Sequence, residues 1–241
     1  MIYSILIIFI INFAFTNKFD FKSISYKNEN DSTVSFEILS NEVTNNQFVK
    51  YLNSALDKGE IKIDAKNRII GYYSGDIYYN EGSKIFAYLD GDIKMDHIIF
   101  NDNLFELRDS TYINHPVTKI SWYCANAFAI HYSAMLPSGI EWEKAAEYIK
   151  SEQKLNPGDY KEKINFNSGK LKPVNDYDLF GNVSEWTRSI DSEIKSFKLI
   201  KGANFKDSNQ KFLDLSYNKM NFANQILNDT GFRIVKYSKN Q

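Results

Sequence analysis

A chain of 241 residues can bury a substantial core, and its 29 Lys and Arg against 30 Asp and Glu leave a net charge of -1. That balance excludes the basic field that nucleic-acid binding requires, and no acidic tail is present. Aromatic residues make up 15% of the chain, which with few aliphatic helix formers points to a loop-rich α+β protein rather than a helical bundle.

The N-terminus carries an apolar run from Ile2 to Phe15, interrupted by Ser4 and Asn12 and followed by polar sequence. The run is short for a membrane span, which needs about 20 residues, and has the length of a secretory h-region. Residues 1–17 are therefore expected to be a signal peptide or a short N-terminal anchor, and residues 18–241 one domain. A buried N-terminal strand is the alternative. The expected location is the bacterial periplasm or cell envelope, with membrane association through the N-terminus if the leader is retained. No cysteine directly follows the run, so a lipoprotein anchor is excluded. The single cysteine, Cys124, cannot form an intramolecular disulfide and is expected as a small buried hydrophobe.

Thr33 to Leu39 alternates as a strand. NEVTNNQFVKYLNSALDKG then predicts a helix: Thr44 and Gln47 make a capping box, Phe48, Tyr51, Leu52, Ala55 and Leu56 share a face, and Gly59 ends it. From Ile61 to His115 short apolar runs (IIGYY, IFAYL, HIIF) between turn residues predict hairpins and long loops. A second helix starts at Ser121, buries Cys124, Ala125, Phe128 and Ala129, and ends near Ser133. A third has Ser138 as N-cap with Glu141 three residues on, and buries Trp142, Ala145, Ala146 and Ile149. Ser151 to Pro173 reads as polar loop, DYDLFGNVSEW at 176–186 as a tight loop, and KLIKG and GFRIVKY as strands. Asn30, Asn182 and Asn228 begin glycosylation sequons by pattern, which chance supplies readily in an Asn-rich chain.

In order, NEVTNNQFVKYL, HPVTKISWYCANAFA, LPSGIEWEKAAEY, DLFGNVSEWT, KGANF and GFRIV resemble the formylglycine-generating enzyme (sulfatase-modifying factor) domain family over about residues 36 to 236. The resemblance implies an irregular, loop-rich, C-type-lectin-like α+β single domain. It also implies what catalysis would need: copper(I) held by a cysteine pair after a Gly-Gly-Ser motif, because a soft ion prefers thiolate sulfur. Here the motif reads Gly202-Ala203-Asn204-Phe205, Asp207 stands at the first cysteine position and Phe212 at or beside the second. A carboxylate is a hard ligand and a phenyl ring is none, so no copper is expected. The family's Arg-Leu-Pro-Thr-Glu reads Met135-Leu136-Pro137-Ser138-Gly139, without its arginine and carboxylate. An iron branch of the wider family uses three histidines, but the spacing of His97, His115 and His131 matches no ligand pattern.

DLFGNVSEW matches the family's second calcium loop. Carried over, Asp178 and Glu185 would give side-chain oxygens and Gly181 and Val183 backbone carbonyls, an all-oxygen set that suits Ca²⁺. Asn182 would close the turn and Trp186 anchor it in the core. The bland alternative is a hydrogen-bonded turn without an ion. Asn165 and Phe166 match the start of the other calcium loop, but Pro173 follows too soon for a second ion.

The resulting expectation is a non-catalytic binding or scaffolding module of this family in the cell envelope, with a protein, peptide or glycan ligand and a structural calcium. Aromatics among Gly and Asp in Tyr72 to Asp92 make that segment the candidate ligand surface, against the alternative of ordinary cross-strand pairs. The rival is a metal-dependent oxidoreductase with altered ligands around Asp207 and Asp214.

Overall fold

Small sheets and long connections, not one large sheet, carry the structure. The computed structural model describes residues 19–153, 164–175 and 178–237, the side chains of Gln153 and Asp178 excepted. The expected leader, residues 154–163 of the expected polar loop and the start of DYDLFGNVSEW lie outside them.

Strands β1 (Phe21–Lys27) and β2 (Thr33–Leu39) form an antiparallel hairpin in register from Phe21 opposite Leu39 to Lys27 opposite Thr33. The sequence pattern marks β2 but not β1, where only Ile24 is buried and the apolar alternation is weak. Helix α1 (Asn45–Asp57) has the expected Thr44 N-cap with both halves of its capping box formed. Hairpin strands follow as β3 (Ile61–Ile63), β4 (Arg68–Tyr73), β5 (Gly82–Tyr88), β6 (Ile98–Asn101) and β7 (Leu104–Leu107). Helices α2 (Trp122–His131) and α3 (Gly139–Gln153) begin where their caps predict. Ser121 accepts from the Cys124 amide, and Ser138 and Glu141 cap reciprocally at 3.2 and 2.7 Å.

The C-terminal third forms a second sheet in the order β10 (Lys219–Phe222), β9 (Phe197–Lys201), β8 (Ser184–Ile190), β11 (Thr230–Gly231). Two expectations are corrected here. DYDLFGNVSEW is not a loop throughout: Asp178–Phe180 make a 3-10 turn, and β8 begins at Ser184, so Glu185 and Trp186 project from a strand. GFRIVKY is not one strand either. Gly231 pairs with Glu185 of β8, whereas β12 (Val235–Lys236) pairs with β2 in the other sheet, and Phe232 to Ile234 cross between the two. In the crossing, the Phe232 and Ile234 carbonyls accept from the Val43 and Leu39 amides at 2.9 Å, so the backbone stays satisfied outside a regular ladder.

The larger core lies between α1, α2 and the central hairpins, with Phe48, Tyr51, Phe86, Phe128 and Phe232 among its buried rings. A second core under α3 joins Trp142, Ala145, Ala146 and Ile149 to Phe36, Ile38 and Val235. Gly181 marks the closest backbone approach: a Cβ there would stand 1.6 Å from the Ile164 carbonyl oxygen, so only glycine permits the two loops to touch.

Candidate functional site

The segment after Gly202 is tied down by its own polar groups. The Asn204 amide nitrogen donates to Asp207 Oδ2 (2.8 Å), and Asn204 Oδ1 accepts from the Lys206 and Asp207 amides at 2.9 and 3.1 Å. Lys219 Nζ then lies 2.5 Å from Asp207 Oδ2 and 2.8 Å from Ser184 Oγ, in a setting where both charged side chains are largely buried. The ring of Phe212 sits under the ammonium groups of Lys219 and Lys211, 4.7 and 5.1 Å from its centroid, and edge-on to Tyr217. At the first position that the resemblance assigns to a thiolate, and at or beside the second, the chain thus has a neutralised carboxylate and a phenyl ring capped by lysines. Asp214 does not join Asp207: it accepts from the Ser216 amide and hydroxyl, and those bonds hold its carboxyl below the usual range. Among the described residues no group of three or more His, Cys, Asp and Glu forms a metal cluster.

Near Met135 to Gly139 the chain has an ion pair of Arg188 with Glu141. Arg188 of β8 donates to the Leu136 carbonyl and to Glu141 Oε1, its Nη1 lies 2.6 Å from Glu141 Oε2, and the Tyr237 hydroxyl also donates to Glu141. Behind Gly139, Lys201 is fully buried, pairs with Glu143 at 2.5 Å and donates to the Leu215 carbonyl.

Glu185 of the expected calcium loop is paired with a cation of the chain itself. Glu185 and Arg233 are both 0% exposed, and the guanidinium grips the carboxylate bidentately, Nε to Oε2 and Nη2 to Oε1, each at 2.7 Å. Trp142 Nε1 donates to the same Oε2 at 3.0 Å, and Arg233 Nη1 reaches the Leu39 and Ser40 carbonyls. A dication on Glu185 would have to share this carboxylate with the guanidinium in a buried setting, where like charges repel strongly. Glu185 therefore does not fit the ligand role that the resemblance gives it; the side chain of Asp178 lies outside the described residues.

Asn182 does not close its own turn. In the left-handed conformation (φ 60°) it reaches across to other loops, accepting from Asn165 Nδ2 (2.7 Å) and the Lys172 amide (3.1 Å) and donating to the Lys172 carbonyl (3.2 Å). Trp186 is buried as expected and donates to the Ile120 carbonyl at 3.4 Å.

The histidines stay apart from these sites. His97 stacks on Tyr112 (3.7 Å), His115 lies tilted to the same ring at 4.9 Å, and burial lowers the pKa of both imidazoles. His131 ends α2 with Nδ1 2.6 Å from Glu60 Oε2. Cys124 is fully buried, which pushes its thiol pKa well up and makes it a poor nucleophile.

One cluster was missed from the sequence. Lys198 in β9 is 2% exposed, and its Nζ lies 3.9 Å from the Trp122 ring centroid and 4.7 Å from that of Tyr79. Burial lowers its pKa to about 8, and nearby Asp76 opposes the shift. The available signal was the alternation of FKLIK, which puts Lys198 and Ile200 on one inward face.

The family model of the sulfatase-modifying factor enzyme 1-like domain matches residues 12–238. No curated protein matches the chain. Among solved structures it is similar to CarF, at 18% identity over 92% of this chain and 97% of that one, with a TM-score of 0.53. PvdO from Pseudomonas aeruginosa (14% identity, 90% and 91% covered, TM-score 0.48) and Treponema denticola variable protein 1 (14%, 88% and 98%, 0.43) are more distant. At these identities the likeness to CarF concerns the fold.

Proposed function

We propose that this chain, which belongs to the sulfatase-modifying factor enzyme 1-like domain family, is an exported, non-catalytic member that serves as a binding or scaffolding module in the bacterial cell envelope. The observation that carries the reading is the pair Asp207–Lys219 beside Phe212. It replaces a soft, redox-active thiolate pair with a closed ion pair that offers copper(I) no ligand. A metal-dependent oxidoreductase site around Asp207 and Asp214 is disfavoured, because the two carboxylates turn to separate partners.

For the former calcium loop, the reading is that Arg233 supplies internally the positive charge that an ion would bring. Its support is the threefold engagement of Glu185 by Arg233 and Trp142. Metal analysis of full-length protein recovered from an envelope fraction tests the whole: the expected result is neither copper nor iron in stoichiometric amount. Stoichiometric copper or iron would overturn the non-catalytic reading, and recovery from the cytoplasm would overturn the location.

A further inference from the structure

A cavity of about 330 Å³ opens between the β4–β5 hairpin, the residues that follow α1 and the outer face of α2. That is the lower end of the size range of small-molecule pockets, roughly 300–1,000 Å³. Gly71 makes its floor possible, since a Cβ there would fall 2.1 Å from the ring of Phe86. The walls are aromatic: Tyr73 and Tyr123 meet at 5.1 Å with planes tilted by 58°, and Tyr72 stands at the rim, 62% exposed, its hydroxyl donating to Glu81.

The polar groups at the mouth are of two kinds. Glu60 is held through Oε2 by His131, which leaves Oε1 as an acceptor. The side chains of Ser74 and Asn126 also line the cavity and have no hydrogen-bond partner among the described residues. A wider depression of about 630 Å³ between α1 and the β6–β7 hairpin also has polar groups, Asp57 and Asn103, but Phe100 is its single aromatic wall and Asn53 there uses its amide on both backbone groups of Phe105.

Charge narrows the ligand class. The carboxylates of Glu60 and Glu81 disfavour an anion. The Lys84 ammonium, 5.3 Å over the Tyr123 ring, already holds the place that an ammonium ligand would seek. Hydroxyl and amide groups without partners disfavour a purely apolar occupant, which would leave them desolvated and unsatisfied. We infer that this cavity binds a single neutral pyranose ring, packed on Tyr72 and hydrogen-bonded by Asn126, Ser74 and Glu60.

The inference rests on the proposed binding role and names its ligand. The test is a calorimetric titration of the full chain with a panel of neutral monosaccharides, paired with a screen of immobilised neutral glycans. Saturable binding to the free sugars identifies a monosaccharide site, and binding to the immobilised glycans alone identifies a glycan end; either supports the inference if the variants agree. Tyr72→Ala is expected to weaken binding by about tenfold and Asn126→Leu by a similar factor, while Ile77→Ala on the neighbouring loop leaves it unchanged. Neither variant removes a core contact, so circular dichroism should match the parent. No binding by any neutral sugar in either format, or binding indifferent to Tyr72→Ala and Asn126→Leu, overturns the inference. Such a failure leaves the non-catalytic reading intact, whereas stoichiometric copper or iron would sink that reading without touching the cavity.

Discussion

Glu185 and Arg233 form a bidentate ion pair with no solvent exposure, joining β8 to the segment that crosses between the two sheets. Arg233 also holds the Leu39 and Ser40 carbonyls at the end of β2. The pair is thus the polar joint between the N-terminal hairpin and the C-terminal sheet. Removing one partner leaves a buried charge uncompensated. Arg233→Met or Glu185→Leu should each cost about 3–5 kcal/mol in denaturant unfolding, and the double variant less than the sum. Additive losses would show that the two charges do not compensate each other.

Since the guanidinium already neutralises Glu185, that carboxylate has no charge left for calcium to balance. Thermal melts in excess calcium and in chelator should superimpose within about 1 °C, because an ion that does not bind the native state cannot stabilise it. A lower melting temperature in chelator, abolished by Asp178→Ala with Glu185→Ala, would place an ion in the loop and contradict the role given to Arg233.

Lys198 makes stability depend on alkaline pH. Its folded pKa is lowered to about 8, against 10.5 for an ordinary lysine, so between these values the unfolded chain binds more protons than the native one. Stability relative to Lys198→Met should therefore rise as pH increases from about 8 to about 10.5, by at most about 3 kcal/mol, and stay constant below pH 8. Taking the difference between the two proteins cancels the tyrosines, which also titrate at high pH. A flat difference across that window would refute the buried-lysine account.

Gly181→Ala should destabilise by about 3 kcal/mol or more, since the obstacle is the Ile164 carbonyl, a backbone atom that cannot rotate away. Unfolding in urea checks this. A loss under about 1 kcal/mol would mean that the two loops part easily.

What was legible in the sequence followed local rules. Thr44 with Gln47 and Ser138 with Glu141 each satisfy helix-end amides within one turn, so caps and periodicity located α1 and α3. The order of six landmarks carried the family. What escaped depends on contacts distant in sequence. GFRIVKY looks like one strand until Gly231 and Val235 are seen pairing in different sheets. Glu185 is gripped by Arg233, 48 positions later, and no local pattern announces that pairing. Lys198 reads as an ordinary strand lysine because its cage comes from Trp122 and Tyr79, on other elements. Pairing and charge compensation across long separations leave no periodic trace in the chain.

The central claim is that the family's fold persists here without its oxidative chemistry, and one assay addresses it directly. Purified full-length protein is loaded with copper(I), freed of excess metal, and incubated in air with a cysteine-containing peptide whose mass is followed over time. The expected result is that no copper is retained and the cysteine is not converted to formylglycine. Retained stoichiometric copper together with conversion of the cysteine would contradict the account.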